Sequence, residues 1–210
     1  LNRKEIVMKA LVLNCTLKPS PESSSTEALS RVLMRQWDED GIESELVRLA
    51  DHDIKPGVES DMGDGDEWPV IRDKIKACDI LVIATPTWLG QMSSIAKRAL
   101  ERMDAILSET DDQGRTWAMG KAAGVVVTGN EDGAHHIVAT VLQPLVDVGF
   151  TAPGQGWTYW HLGPGPGPDY TDTDQAHDYS DRVGRNAARN LAWAARALAA
   201  MPAPAQETGE

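Results

Sequence analysis

The stretch Cys15-Thr-Leu-Lys-Pro-Ser-Pro-Glu-Ser-Ser-Ser-Thr26 carries six hydroxyl side chains and one cation, Lys18, directly ahead of a helical pattern. Hydroxyls beside the unpaired amides of a helix start suit an anion, because both the N–H groups and the helix dipole favour negative charge. A terminal phosphate therefore suits this loop. The same serines equally suit plain helix capping.

A second stretch, Thr85-Pro-Thr-Trp-Leu-Gly-Gln-Met-Ser-Ser94, leaves a strongly apolar run through a proline, an aromatic and a glycine. Backbone donors beside a flat apolar side chain fit a heteroaromatic ring, while Trp88 also reads as a core or interface anchor. A third, Thr128-Gly-Asn-Glu-Asp-Gly133, combines flexible backbone with hydrogen-bonding side chains. His135 and His136 follow it, but adjacent residues on a helix point about 100° apart, so a shared metal is not expected. The acidic run Asp61–Asp66 lacks the spacing and closing glutamate of a calcium loop and reads as a solvated connection. No metal site is predicted.

The chain has no Gly-x4-Gly-Lys-Ser/Thr pattern, and no Gly-x-Gly-x-x-Gly follows its first apolar run. Triphosphate hydrolysis and the usual dinucleotide fold are thereby excluded, and a monophosphate held by hydroxyls remains.

The elements that must position these stretches alternate between strand and helix. Lys9–Asn14, Asp79–Thr85 and Ala122–Thr128 are short apolar runs, as strands buried on both faces are. Glu43–Leu49 alternates like a strand nearer the sheet edge, and Thr151–Trp160 completes five. Between them, helical spacing runs from Ala28 to Trp37, with a Ser24/Glu27 capping box, then from Pro69 to Ala77, Met92 to Ile106 and Ala134 to Val148. Pro144 is expected to kink the fourth helix. A last helix spans about Asp174–Ala200. The predicted fold is α/β, a doubly wound three-layer sandwich around a five-stranded parallel sheet. Residues 1–200 form one domain and 201–210 a disordered tail. In such a sheet the ligand lies beyond the carboxyl ends of the strands, where strand order reverses, which is where the three stretches fall.

A formal charge of -12 and a pI near 4.8 argue against a nucleic-acid partner. No apolar run is long enough to cross a bilayer, and Leu1–Val7 lacks the features of a signal peptide. Cys15 and Cys78 lie far apart in no metal or redox spacing, consistent with a reducing compartment, so a cytoplasmic protein without membrane partners is expected.

Taken together, Thr85-Pro86-Thr87-Trp88-Leu89-Gly90-Gln91-Met92-Ser93, followed by Lys97 and Glu101-Arg102, resembles the NADPH-dependent FMN reductase family, related to the tryptophan-repressor-binding-protein type of quinone reductase. That family's loop commonly reads Thr-Pro-x-Tyr/Trp-x-Gly-x-x-Ser. The resemblance runs from about Lys9 to Ala200, with Lys18 standing where arginine is frequent. It implies a flavodoxin-like three-layer sandwich with the five parallel strands in the order 2-1-3-4-5, FMN as cofactor and NAD(P)H as co-substrate. The phosphate would lie on Thr16, Lys18, Ser23, Ser25 and Thr26, and the ring against Pro86, Thr87, Trp88, Leu89, Gly90, Gln91, Thr128, Gly129, Asn130 and Gly133.

It further implies a ping-pong cycle delivering hydride to a quinone, flavin or other small electron acceptor, with no side chain acting as acid or nucleophile, in a homodimer or tetramer. Two rivals stand beside this reading: a flavodoxin-type electron carrier docking to a redox partner, and a flavin-free regulatory protein of the same fold. The Gly163–Pro168 run, with Trp157, Tyr159 and Trp160 near it, has three readings: a wall of the substrate pocket, a subunit contact or a packed loop.

Overall fold

A computed structural model describes residues 7–207; the expectations for the first six residues and for the end of the tail, 208–210, lie outside them. Five parallel strands form the sheet: β1 (Lys9–Asn14), β2 (Glu43–Arg48), β3 (Ile80–Trp88), β5 (Ala122–Thr128) and β6 (Trp157–Trp160), in the order β2-β1-β3-β5-β6. The short β4 (Gln91–Met92) pairs antiparallel with the end of β3. With β4 set aside, the order is the predicted 2-1-3-4-5.

Alternation along the central strands divides the core. Leu11, Leu13, Leu81, Ile83, Val125 and Val127 pack on one face against α2 (Trp68–Ala77), α3 (Ser94–Arg102) and α4 (Ala134–Asp147). Ala10, Val12, Ile80, Val82, Ala84 and Val126 pack on the other against α1 (Ser25–Glu39) and α5 (His177–Ala200). Each fully buried side chain of this kind contributes about 1.5–3 kcal/mol. The indole N–H of Trp37 donates to the Ala188 carbonyl at 3.0 Å, so the α1–α5 layer is fixed by direction as well as by area.

Several boundaries moved. The fifth strand, expected from Thr151, begins at Trp157; Thr151 keeps only a bridge to Ala122, because Pro153 has no N–H for a ladder and Gly156 turns back to donate to the Pro153 carbonyl. The third helix starts at Ser94 rather than Met92, with Ser93 accepting from the Ala96 N–H, and tightens into a 3-10 turn over Met103–Ser108. The third strand continues through Trp88, where the sequence reading stopped at Thr85. α4 runs on through Pro144. Beyond α5, the Ala203 carbonyl accepts from Arg115 at 3.2 Å and the Gln206 N–H donates to Gln113 at 2.8 Å.

The acidic connection is not uniformly solvated as expected. Asp66 and Arg102 form a two-pronged ion pair at 3.0 and 2.7 Å with neither side chain exposed. Arg102 also donates to the carbonyls of Lys55 and Glu59, and Asp66 accepts from the N–H groups of Lys55, Met62 and Trp68. One carboxylate thus gathers a loop that has no secondary structure to satisfy its backbone.

Burial by itself raises the Asp66 carboxyl, but the Arg102 guanidinium and the three N–H donors outweigh it and hold the group well below the usual carboxylate range. A depressed folded-state value adds stability that is complete above the unfolded value of about 4 and lost as pH falls toward the folded one. Asp66→Asn should therefore lower stability at pH 7 by about 3–5 kcal/mol, seen as a drop in the urea midpoint at constant m-value. It should also flatten the decline of stability below about pH 4. An unchanged midpoint would show that the loop holds itself.

Candidate functional site

Strand order reverses between β1 and β3, and the loops leaving β1, β3 and β5 meet beyond that point. They enclose an open cleft to which all three loops contribute side chains. Of the residues singled out from sequence, Thr16, Lys18, Ser23, Ser25, Thr26, Pro86, Thr87, Trp88, Thr128, Gly129 and Asn130 line it. Leu17, Ser24, Asp169 and Tyr170 line it as well and were not foreseen as site residues.

On the β1 side, Asn14 is fully buried and braces the loop: its Nδ2 donates to Ser24 Oγ at 3.4 Å and its Oδ1 accepts the Thr16 N–H at 3.2 Å. Ser24 caps α1 by accepting the Glu27 N–H at 3.2 Å. Glu27 leaves the predicted capping box and turns its carboxylate to Arg48 at 2.6 Å and Arg31 at 2.9 Å. Burial raises the Glu27 carboxyl, but the bonds from both arginines prevail and hold it low.

Arg48, the last residue of β2, donates to the carbonyls of Lys18, Pro19 and Glu22 at 3.4, 3.2 and 2.7 Å. Asp51 accepts from the N–H and the hydroxyl of Ser20, both at 2.7 Å. The loop's outward carbonyls are thereby occupied from behind, which leaves the hydroxyls and first-turn N–H groups of α1 on the cleft side. Arg48 escaped the sequence reading, although its place at the carboxyl end of a strand was a usable signal.

On the β3 side, Trp88 pairs with Gln91 across a two-residue turn, Leu89-Gly90, with φ of 52° and 71°. Two positive φ values are what a type I′ turn demands, and a non-glycine residue there costs about 1–2 kcal/mol. Trp88 is 51% exposed and Leu89 91%. The turn is held from the β5 side by Glu131, whose Oε1 accepts the Leu89 N–H at 2.6 Å, and by a 3.1 Å contact between His136 Nε2 and Gln91 Oε1. Gly133, at φ 121°, lets the two backbones touch: a Cβ there would fall 2.8 Å from Gly90 Cα. Leu89, Gly90 and Gln91 therefore belong to the hairpin flanking the cleft, and Gly133 to the backbone packed against it, rather than to the lining.

The segment after β6 closes the remaining side. Asp169 Oδ1 accepts from Asn130 Nδ2 at 3.3 Å, and Ser25 Oγ lies 3.2 Å from Thr171 Oγ1. Tyr170 stacks on His177 at 3.8 Å and donates its hydroxyl to Asp181 at 2.8 Å; burial first, then Asp181, pushes its phenol up, so it stays protonated. Thr26 and Thr128 share a 2.8 Å hydroxyl contact that joins α1 to the end of β5. No cluster of three or more potential metal-ligating side chains occurs among the described residues.

The fold is that of a flavodoxin-like α/β protein with an open cleft where the loops after β1, β3 and β5 meet. A model of the NADPH-dependent FMN reductase family matches residues 8–164, and the chain belongs to that family. The 8-demethyl-8-aminoriboflavin-5'-phosphate synthase of Streptomyces davaonensis is 37% identical to it over 208 residues, covering 94% of this chain and 80% of that protein. The crystal structure of RosB with the bound intermediate 8-demethyl-8-formylriboflavin-5'-phosphate superposes with a TM-score of 0.87 at 36% identity, over 94% of this chain and 82% of that one. The NAD(P)H:quinone oxidoreductase from Methanothermobacter marburgensis shares the fold, at a TM-score of 0.59 and 17% identity over 88% and 96% of the two chains.

The chain is thus a flavin-dependent oxidoreductase, with FMN as cofactor and NAD(P)H as electron donor. The donor set suits FMN: hydroxyls, amides and Lys18 for the phosphate, Trp88 and Pro86 for the ring. No helix among the described residues is long and apolar enough to cross a membrane.

Because Arg48 binds three loop carbonyls at once, Arg48→Met should weaken FMN binding by about tenfold or more in a fluorescence titration, with the helical circular dichroism retained. Wild-type affinity in that variant would show that the loop is ordered without it.

Proposed function

We propose that this protein oxidises NAD(P)H through bound FMN in a ping-pong cycle and passes the electrons to a small acceptor, a quinone or a free flavin. FMN, when bound, supplies the two-electron carrier chemistry by accepting hydride and releasing it to the acceptor. The observation that carries the reading is the convergence of the three loops on one open cleft in a chain of this family.

In this reading Thr16, Lys18, Ser23, Ser25 and Thr26 hold the phosphate at the start of α1, where the helix dipole reinforces them. Trp88, Pro86 and Thr87 border the ring from β3, and Thr128, Gly129 and Asn130 from β5. Leu89, Gly90, Gln91 and Gly133 keep that border in place. The chain's own residues bind, orient and exclude water, and none transfers a proton to substrate. Their task is to let donor and acceptor approach to about 3–3.5 Å. The open mouth and the exposed Trp88 and Leu89 support a second copy of the chain completing the pocket, in a homodimer or tetramer. The two buried free thiols support a cytoplasmic setting.

A second reading follows from the similarity to the aminoriboflavin-phosphate synthase: the flavin phosphate in this cleft is itself the substrate and is altered on its ring. The FMN-loaded protein should oxidise NADPH steadily with quinone, flavin or dye acceptors while mass spectrometry recovers FMN unchanged. Absence of turnover together with a modified flavin would favour the second reading and sink the first.

Two variants probe the site in either case. Ser25→Asp should expel FMN by setting a charge against its phosphate, and undiminished affinity would mean the anion lies elsewhere. Trp88→Ala should weaken FMN retention or restore flavin fluorescence with unaltered far-UV dichroism, whereas unchanged binding and fluorescence would make Trp88 merely structural.

A further inference from the structure

Glu131 ties two walls of the cleft together without lining it. Gly129 and Asn130, just before it, line one side; Trp88, just before its partner Leu89, lines the other. Its carboxylate reaches across to the Leu89 N–H at 2.6 Å, and Leu89 is the residue held at positive φ with its side chain in solvent. None of the ion pairs among the described residues includes Glu131, so its charge is not neutralised by a neighbouring cation. A charged acceptor on that amide stabilises a turn that leucine by itself disfavours.

The glycine-proline run after β6 acts on the same residue. Gly165, at φ 93°, packs so closely that a Cβ on it would lie 2.7 Å from the Glu131 Cβ and 2.9 Å from the Asn130 carbonyl oxygen. Two residues on, the Gly167 N–H donates to that carbonyl at 2.8 Å. The run is a back-stop: it presses the β5 loop forward, and the β5 loop holds the β3 hairpin. Only glycine supplies both the positive φ and the contact at position 165.

Resting on the FMN-site reading above, we propose that Glu131 is a positioning residue that fixes the Trp88–Gln91 hairpin against the flavin and, by its charge, holds the flavin's midpoint potential down. Hydride transfer moves two electrons and one proton from NAD(P)H to the oxidised flavin. The nicotinamide leaves as NAD(P)⁺ and the reduced ring carries one negative charge. A carboxylate beside the cleft disfavours that added charge. The amide and the charge are separable, because glutamine keeps the carbonyl acceptor and removes only the charge.

The test compares full-length wild type, Glu131→Gln, Glu131→Ala and Gly165→Ala, each loaded with FMN. Affinity is read by flavin fluorescence and midpoint potential by spectroelectrochemistry. Glu131→Gln should bind FMN within about twofold of wild type while its potential moves upward. Glu131→Ala, which frees the Leu89 amide, should lose about tenfold in affinity, and Gly165→Ala should weaken binding in the same direction although it lies behind the loop.

A wild-type potential in Glu131→Gln, or wild-type affinity in Glu131→Ala, overturns the assignment. Should the alanine variant fail to fold, the glutamine variant decides alone through its potential. Wild-type protein that binds no FMN overturns the functional reading itself, a result distinct from FMN-loaded variants that all behave as wild type.

Discussion

The cleft depends on the register of one backbone ladder. Pro86 pairs with Thr128 and Thr128 with Trp160, while Asn14 pairs with Ala84 two residues earlier, so β1 stops short of β3, β5 and β6 and all four deliver their loops to one edge. A parallel sheet buried on both faces tolerates no slip here, since moving one strand by a residue would exchange its two packed faces. Val12, Val82 and Val126 hold that register from one side, and Leu13, Leu81 and Val125 from the other. The hydroxyls of the β1 loop, the tryptophan of the β3 hairpin and the amides of the β5 loop face one another because the ladder leaves them no alternative.

Above that edge the loops have no ladder beyond the two pairs of the β3–β4 hairpin, and buried or bridging charges take over. Arg48 collects the carbonyls of the β1 loop, Asp66 and Arg102 the long connection after β2, and Glu131 the hairpin after β3. Arg48, Asp66 and Arg102 each bind two or more backbone groups besides an opposite charge, whereas Glu131 binds the Leu89 amide alone. This gives direction to chain that would otherwise be solvated and mobile. In a chain of net charge -12 the two arginines carry a large share of this work, and their fork geometry lets one side chain satisfy several carbonyls or a carboxylate and a carbonyl together.

The segment after β6 shows how a loop of poor composition for secondary structure still serves a site. Asp169 and Tyr170 reach the cleft, Thr171 meets Ser25, and Gly165 abuts Glu131. Trp160 packs edge-on against Tyr170 and His177 and anchors the return to α5. Of the aromatic residues noticed beside the glycine-proline run, Trp160 joins this packing, Trp157 and Tyr159 pack on the opposite face of the sheet, and none of the three lines the cleft.

Strand and helix identity, the order of the sheet and the family were legible in the sequence, because period-two burial, helical spacing and the Thr85–Ser93 pattern are local properties of the chain. Eleven of the fifteen residues named for the site line the cleft, and they do so because the carboxyl-end rule converts strand boundaries into a position. Other features depended on partners far away in sequence. Arg48 lies 26 residues from Glu22, Asp66 lies 36 from Arg102, and Glu131 lies 42 from Leu89. A lone arginine or glutamate reads the same in any sequence window. What each one holds was decided only when the folded sheet brought a distant backbone within reach, because a hydrogen bond requires a distance and an angle that spacing along the chain does not encode.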